Sequence, residues 1–360
     1  MSKFPLPPGS TVGIIGGGQL GRMLALAAAR LGFDTAVLDP DPDCTAGRVA
    51  SKRFTAAYDD PEALKGLADA CDVVTFEFEN APADAAESLL ALGAEVAPPP
   101  IALAVAQDRF EEKTFLNGLG VETTPFEPIT SARHIGPALD LLGAPALLKT
   151  RRQGYDGKGQ TWVETHDDAE AAFRRIGRKP AILEAKAEFR RELSIVAARA
   201  RDGEVAAYPL GENFHEAGIL RRTIAPAAAS KDVQDHAEGI VRRVLTKLDY
   251  VGVMAVELFE LEGGKLLVNE IAPRVHNSGH WTLDGCEVDQ FEQHVRAIAG
   301  WPLGPTEPIA PVEMVNLIGA EVEEWRKLAG DRSARLWLYG KGEARPGRKL
   351  GHVNRLRGKD

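Results

Sequence analysis

Short apolar runs alternate with amphipathic stretches through the first hundred residues. Thr11–Ile15, Thr35–Leu38 and Val73–Asn80 have the length and β-branched content of strands. Arg22–Leu31, Pro61–Ala70 and Pro82–Leu92 read as helices between and after them. Strands alternating with helices predict an α/β fold with a doubly wound parallel sheet. Pro98-Pro99-Pro100 is expected to close this module as a stiff connector.

Further along, Asp108–Leu119 and a stretch near Ser131–Leu142 read as helices, and Ala146–Lys149 and Ala181–Glu184 as strands. Arg191–Ala200 and Glu204–Leu210 predict a hairpin about Asp202-Gly203. Asp232–Leu248 is an amphipathic helix, and Val253–Leu261 and Lys265–Ile271 are strands flanking Glu262-Gly263-Gly264. After a Pro-rich connector, Pro302–Pro311, a helix near Ala320–Leu328 and a strand at Arg335–Tyr339 form a small closing unit.

The second hairpin places chemistry. If Gly263-Gly264 is a two-residue turn, Glu262 pairs with Lys265 and Glu257 with Glu270, with Phe259, Leu261, Leu266 and Val268 on the same face. Two carboxylates so placed repel, and burial raises the cost. A divalent, oxygen-preferring cation removes the conflict; a raised pKa or an arginine such as Arg274 between them is the alternative. The run from Ala272 to Thr282 is dense in hydrogen-bonding side chains and reads as a substrate loop beside that pair. His276 and His280 suit zinc only on a helix, which Pro273 and Gly279 oppose.

Two glycine-rich loops are candidate anion sites. Gly16, Gly18 and Gly21 satisfy G-x-G-x-x-G after the first strand, with Asp39 where a ribose-binding acid would sit, so a nicotinamide enzyme is one hypothesis. The same loop offers free N–H groups at a helix N-terminus to any phosphate. Glu77 and Glu79 lie beside it at a strand end. The second loop follows Lys149 and combines Gly154, Gly157 and Gly159 with Arg151, Arg152 and Lys158, as either a flap over a triphosphate or a long surface hairpin with a solvated basic tip would. It is not a Walker loop, because Gly159 stands where Ser or Thr should follow Lys158. The end of the Ala181–Glu184 strand could offer backbone groups to an adenine edge. Arg345, Arg348, Lys349, His352, Arg355, Arg357 and Lys359 form a basic cluster that is either a solvated tail or an anion clamp.

Composition narrows the class. With 360 residues, two or three subdomains are expected. A net charge of −9 argues against bulk attraction to nucleic acid or an anionic membrane, so an anion site has to be built from local cations. Cys44, Cys71 and Cys286 are odd in number and lack C-x-x-C spacing, as expected of reduced thiols in the cytoplasm. The first residues have no apolar signal region, and Met23–Leu31 is too short to span a bilayer.

Lys149, the run Gly154-Tyr155-Asp156-Gly157-Lys158-Gly159-Gln160, the Glu257/Glu270 pair and the run from Asn269 to Thr282 resemble the ATP-grasp ligases, and more narrowly the 5-(carboxyamino)imidazole ribonucleotide synthetase family. Gly16 to Met23, Phe76 to Asn80, Phe214 to Leu220 and Gly347 to His352 are similar to it as well. Gln153 departs from the family, which usually has glycine there. The resemblance implies an N-terminal pre-ATP-grasp domain over 1–100, an ATP-grasp domain over 101–300 with a mobile lid near 120–186, and a small C-terminal β-rich domain over 301–360. It implies that ATP phosphorylates bicarbonate and that 5-aminoimidazole ribonucleotide captures the carboxyl group. ATP and Mg²⁺ (Mn²⁺ as an alternative) are the implied cofactors, and a homodimer the implied assembly.

Carried over by position, Arg109, Lys149 and Gly154 to Gln160 are expected on the ATP phosphates. Glu184, Ala185, Lys186 and Ala187 are expected along the adenine, Glu192 at the ribose and His215 nearby. Glu257 and Glu270 are the expected metal ligands, with Asn269 beside them. Gly17, Gln19, Leu20, Glu77, Tyr155, Arg274, His276, Asn277, Arg348, Lys349 and Arg355 are expected at the ribonucleotide. Arg274, the bicarbonate candidate, joins Lys149, Tyr155 and Asp156 in the chemistry. The alternatives are a formate-dependent ATP-grasp glycinamide ribonucleotide transformylase, an NAD(P)-dependent oxidoreductase, and a nucleotide-binding regulator without turnover.

Overall fold

The computed structural model describes residues 3–154 and 157–358. Its first sheet is parallel, in the order β3-β2-β1-β4: β1 Thr11–Ile15, β2 Asp34–Leu38, β3 Lys52–Phe54 and β4 Val73–Phe76. β3 was not legible, because Lys-Arg-Phe has no apolar run. β4 stops at Phe76, so Glu77 and Glu79 leave the sheet in the following loop. The proline run is not a free connector. Ala97 N–H donates to Val74 O, and Pro100 opens the helix Pro100–Ala106, where its missing N–H costs nothing.

A second sheet is antiparallel, in the order β5-β8-β6-β7: β5 Phe126–Ile129, β6 Ala146–Thr150, β7 Gln160–Val163 and β8 Ala181–Ala185. It packs Leu148, Val163 and Leu183 against Leu139 and Phe173 from the helices Ile135–Leu142 and Ala169–Arg175.

The remaining strands are β9 Arg191–Arg199, β10 Val205–Ala207, β11 Gly211–Glu216, β12 Ile219–Ala225, β13 Gly252–Glu260, β14 Leu266–Ala272, β15 Val312–Ile318, β16 Ala334–Leu338 and β17 Lys349–Leu356. They form one nine-stranded sheet, β14-β13-β9-β11-β12-β15-β17-β16, with β10 on β9. The closing strands thus extend the central sheet. One face packs on the helix Lys231–Lys247 through Val233, Ile240, Val241 and Val244. The other shares a core with the helices Gln290–Ala299 and Gln19–Arg30, joining Val253, Phe291 and Val295 to Met23 and Leu24. His294 pins the two sheets together: Val253 N–H donates to Nδ1 at 3.0 Å, which leaves Nε2 as donor to Thr75 Oγ1 at 2.8 Å.

Candidate active site

A cleft of about 850 Å³ lies where the carboxyl edge of the first sheet, the second glycine loop, the β13–β14 ladder and the segment before β17 meet. Gln19, Leu20, Glu77, Arg109, Gly154, Lys158, His215, Glu257, Glu270, Arg274, His276, Asn277, Arg348 and Lys349 all line it. Residues from each third of the sequence therefore share one cavity. Tyr155 and Asp156 lie outside the described residues.

Glu257 pairs with Glu270 across the ladder, by a route the sequence did not reveal. The hairpin loop has three residues, Glu262–Gly264, with φ near +80° at both glycines, so Leu261 pairs Lys265. A bulge between Glu257 and Leu258 then shifts the register by one and restores the carboxylate pairing. Leu266 and Val268 are consequently not neighbours of the glutamates; they belong to the core beneath the helix Lys231–Lys247. Burial and then the Glu270 charge push the Glu257 carboxyl up to about 7. Arg109 Nη1 donates to Glu270 Oε2 at 2.9 Å, and Nη2 to Gly154 O at 3.1 Å, so one guanidinium joins the pair to the loop. Asn269 Oδ1 is buried without a hydrogen-bond partner. Two carboxylates and an orphan amide oxygen are hard donors that fit a small divalent cation.

The loop at 154–160 carries the backbone its glycines predict. Gly157 and Gly159 have φ near +74° and +71°, and a Cβ on Gly159 would lie 2.7 Å from Thr150 Oγ1. Gln153 also adopts positive φ, +62°, so a residue with a side chain stands where the backbone favours glycine. Lys149 stands behind this loop. It donates to Glu184 Oε2 at 2.9 Å, while Lys113 Nζ lies 3.5 Å from Oε1. Burial opposes ionisation of Glu184, but the two ammonium groups hold its carboxyl near 2. Ala185 and Ala187 are half-buried, Lys186 is exposed against Glu188 at 2.7 Å, and Glu192 pairs with His215 at 2.9 Å.

The first glycine loop corrects an expectation. Its N–H groups meet carboxylates of the chain itself: Gly17 N donates to Asp39 Oδ2 at 2.6 Å, Gly18 N to Glu77 Oε1 at 2.6 Å and Gly21 N to Glu77 Oε2 at 2.7 Å. The helix N-terminus attracts an anion, and Glu77 supplies it. These donors are not free for a phosphate. Asp39 also accepts from Tyr58 Oη at 2.7 Å, so it is a loop brace and not a ribose acid, which removes the basis of the dinucleotide reading.

Beside Glu77, Arg274 forms a short ion pair with Glu79 and donates to Val275 O. Burial works against the Glu79 charge, yet the guanidinium holds its carboxyl down at about 2. His276 is held neutral by burial and by the nearby Arg274 and Lys349 charges, and its Nε2 lies 3.5 Å from Glu257 Oε1. Asn277 and Asn316 exchange amide hydrogen bonds at 2.9 and 2.7 Å.

The basic tail is not a tail. β17 runs between β15 and β16, and among the described residues of the cluster Arg345, Arg348 and Lys349, before and at its start, line the cleft. His352 is buried against Tyr339 Oη at 2.8 Å, and burial lowers its pKa to about 3, so it adds no charge to a clamp. Arg355 pairs with Asp331 at 3.2 Å and, like Lys149, Glu184 and Glu192, is not among the residues lining the cleft. Glu112 and Lys113 were missed. They sit three and four residues after Arg109 on the helix Arg109–Gly118, on the face that carries Arg109 to the cleft. That spacing was a usable signal.

Comparisons with known proteins place the chain in a family. Residues 10–107 match a ribonucleotide synthetase preATP-grasp domain, 114–291 an ATP-grasp domain and 313–360 a phosphoribosylaminoimidazole carboxylase C-terminal domain. The chain is 52% identical to the N5-carboxyaminoimidazole ribonucleotide synthase of Brucella melitensis over 99% of both chains. It is 43% identical to that of Bacillus subtilis, over 98% of this chain and 93% of the relative. The synthetase structure from Thermus thermophilus superposes with a TM-score of 0.90 at 47% identity, over 96% of this chain and 93% of that one. The Aspergillus clavatus synthase, crystallised with ADP and 5-aminoimidazole ribonucleotide, gives 0.91 at 31% identity over 97% and 94%. The chain belongs to the N5-carboxyaminoimidazole ribonucleotide synthase family of ATP-grasp ligases.

Proposed function

We propose that this protein carboxylates the exocyclic amine of 5-aminoimidazole ribonucleotide, using ATP and bicarbonate, in purine biosynthesis. The observation that carries the reading is the single cleft holding the Glu257/Glu270 pair between the cationic flap and the Arg274 to Asn277 loop. Bicarbonate is a poor electrophile, and phosphorylation gives it a leaving group. Glu257 and Glu270, with Asn269 Oδ1, would hold magnesium (or manganese), which when bound neutralises charge on the transferring phosphoryl group.

The chain's own residues do the rest. Arg109, Lys149, Lys158 and the backbone of 154–160, with Tyr155 and Asp156, take the triphosphate; Glu184 to Ala187, Glu192 and His215 take the nucleoside. Arg274, held by Glu79, presents its charge to bicarbonate and then to the carboxyphosphate. Gln19, Leu20, Glu77, His276 and Asn277 orient the aminoimidazole ribonucleotide, and Arg348 and Lys349 meet its phosphate. Gly17 acts through its N–H, which holds Asp39 against the loop whose Gly18 and Gly21 fix Glu77. Closure of the flap excludes water from a short-lived intermediate. The domains are taken as 1–100, 101–300 with a lid near 120–186, and 301–360; the protein is taken as a cytoplasmic homodimer. ADP release with Mg-ATP and bicarbonate, assayed with and without the ribonucleotide, tests the reaction. Strong dependence on the ribonucleotide is expected, and ADP release indifferent to it would sink the reading.

A further inference from the structure

Glu184 is 3% exposed and Lys113 is fully buried, so their contact is in the interior. Two ammonium groups share this carboxylate. Lys149 holds Oε2 at 2.9 Å from β6, and Lys113 stands 3.5 Å from Oε1 on the helix Arg109–Gly118. Glu184 alone does not need two cations for neutrality, and Lys113 also feels the buried Glu112 carboxylate beside it on the helix. Lys113 Nζ also donates to Asn269 O at 3.3 Å, the carbonyl that precedes Glu270. Lys113 therefore ties the end of β8, in the second sheet, to β14, in the central sheet, at the site of the acidic pair.

We infer that Lys113 is a positioning residue for the nucleotide: it keeps Glu184 paired when a triphosphate draws Lys149 away. A triphosphate offers Lys149 more negative charge than one carboxylate does. Were Lys149 the sole partner, its departure would leave a buried, unpaired carboxylate, which is strongly unfavourable. With Lys113 in place, the Lys113–Glu184 pair stays neutral and Lys149 is released. The pair also keeps β8 and β14 in fixed relation, so the adenine side and the metal side stay matched. The inference rests on the placement of the triphosphate against Lys149.

The test compares Lys113→Met, Lys113→Arg and Lys149→Met in the full chain. Binding of Mg-ADP and of a non-hydrolysable ATP analogue is measured by calorimetry, and KM is measured for ATP and for the ribonucleotide. Lys113→Met is expected to weaken the ATP analogue by on the order of tenfold and ADP less, with KM for the ribonucleotide nearly unchanged and partial recovery in Lys113→Arg. If Lys113→Met does not accumulate, Lys113→Gln, polar and of similar length, takes its place. A purely structural role would lower Tm and the active fraction and leave nucleotide affinity intact; analogue affinity within twofold of the parent overturns the inference. If Lys149→Met binds the analogue normally, the placement of the triphosphate fails, which is a separate outcome.

Discussion

Glu257 and Glu270 stand opposite each other across β13 and β14, and Arg109 rests on Glu270 at 2.9 Å. The guanidinium offsets part of the repulsion when no metal is bound. Glu270→Gln removes a negative ligand and that repulsion together. Turnover is expected to fall by at least about 100-fold while Tm holds or rises. ADP release and a thermal melt measure the two effects, and near-normal turnover would separate the pair from the chemistry.

The Glu79–Arg274 pair predicts a pH signature. The Glu79 carboxyl drops from 4.5 to about 2 on folding, so the unfolded chain binds the extra proton between those values. Its contribution, about 3 kcal/mol, is full above pH about 4.5 and fades as the pH falls toward 2. Melts of the parent and of Glu79→Gln from pH 2 to 7 should diverge most above 4.5 and converge below it. Parallel curves across the range would mean the pair does not titrate this way.

Gly18 lies against the Glu77 carboxylate, where a Cβ would collide with it. Gly18→Ala should displace Glu77 from the helix N-terminus, with a stability loss of about 1–3 kcal/mol. KM for the ribonucleotide should rise by roughly tenfold, with Mg-ADP binding unchanged. An unchanged KM would show that the loop does not set Glu77 for the substrate.

Arg355 supplies a control. Its ion pair with Asp331 is partly exposed, and neither residue lines the cleft. Arg355→Ala should leave KM for both substrates unaltered, whereas Lys349→Ala should raise that for the ribonucleotide. A matching rise in Arg355→Ala would place Arg355 at the ribonucleotide.

The strands of the parallel sheet, the glycine loop at 154–160 and the acidic pair were legible because each is marked by a local run of residues. The pairing of Glu257 with Glu270 was reached through two compensating errors, a two-residue turn in place of three and an unrecognised bulge. The glycine loop announced an anion site, but its occupant, Glu77, arrives 59 residues after Gly18. Likewise, His352 and Arg355 read as tail charges until β15 and β16 bracket them. Long-range pairing decides such cases, and local pattern carries no record of it.

The bulge has a practical corollary for engineering. β13 is held along its whole length by β9, and β14 is anchored separately where Val268 N–H meets Glu122 O and Ile271 N–H meets Glu112. The acidic pair therefore keeps its alignment without help from the hairpin tip, where Glu262 and Gly263 are exposed. An epitope tag or a protease recognition sequence spliced between them should leave catalysis untouched, making that tip a convenient handle.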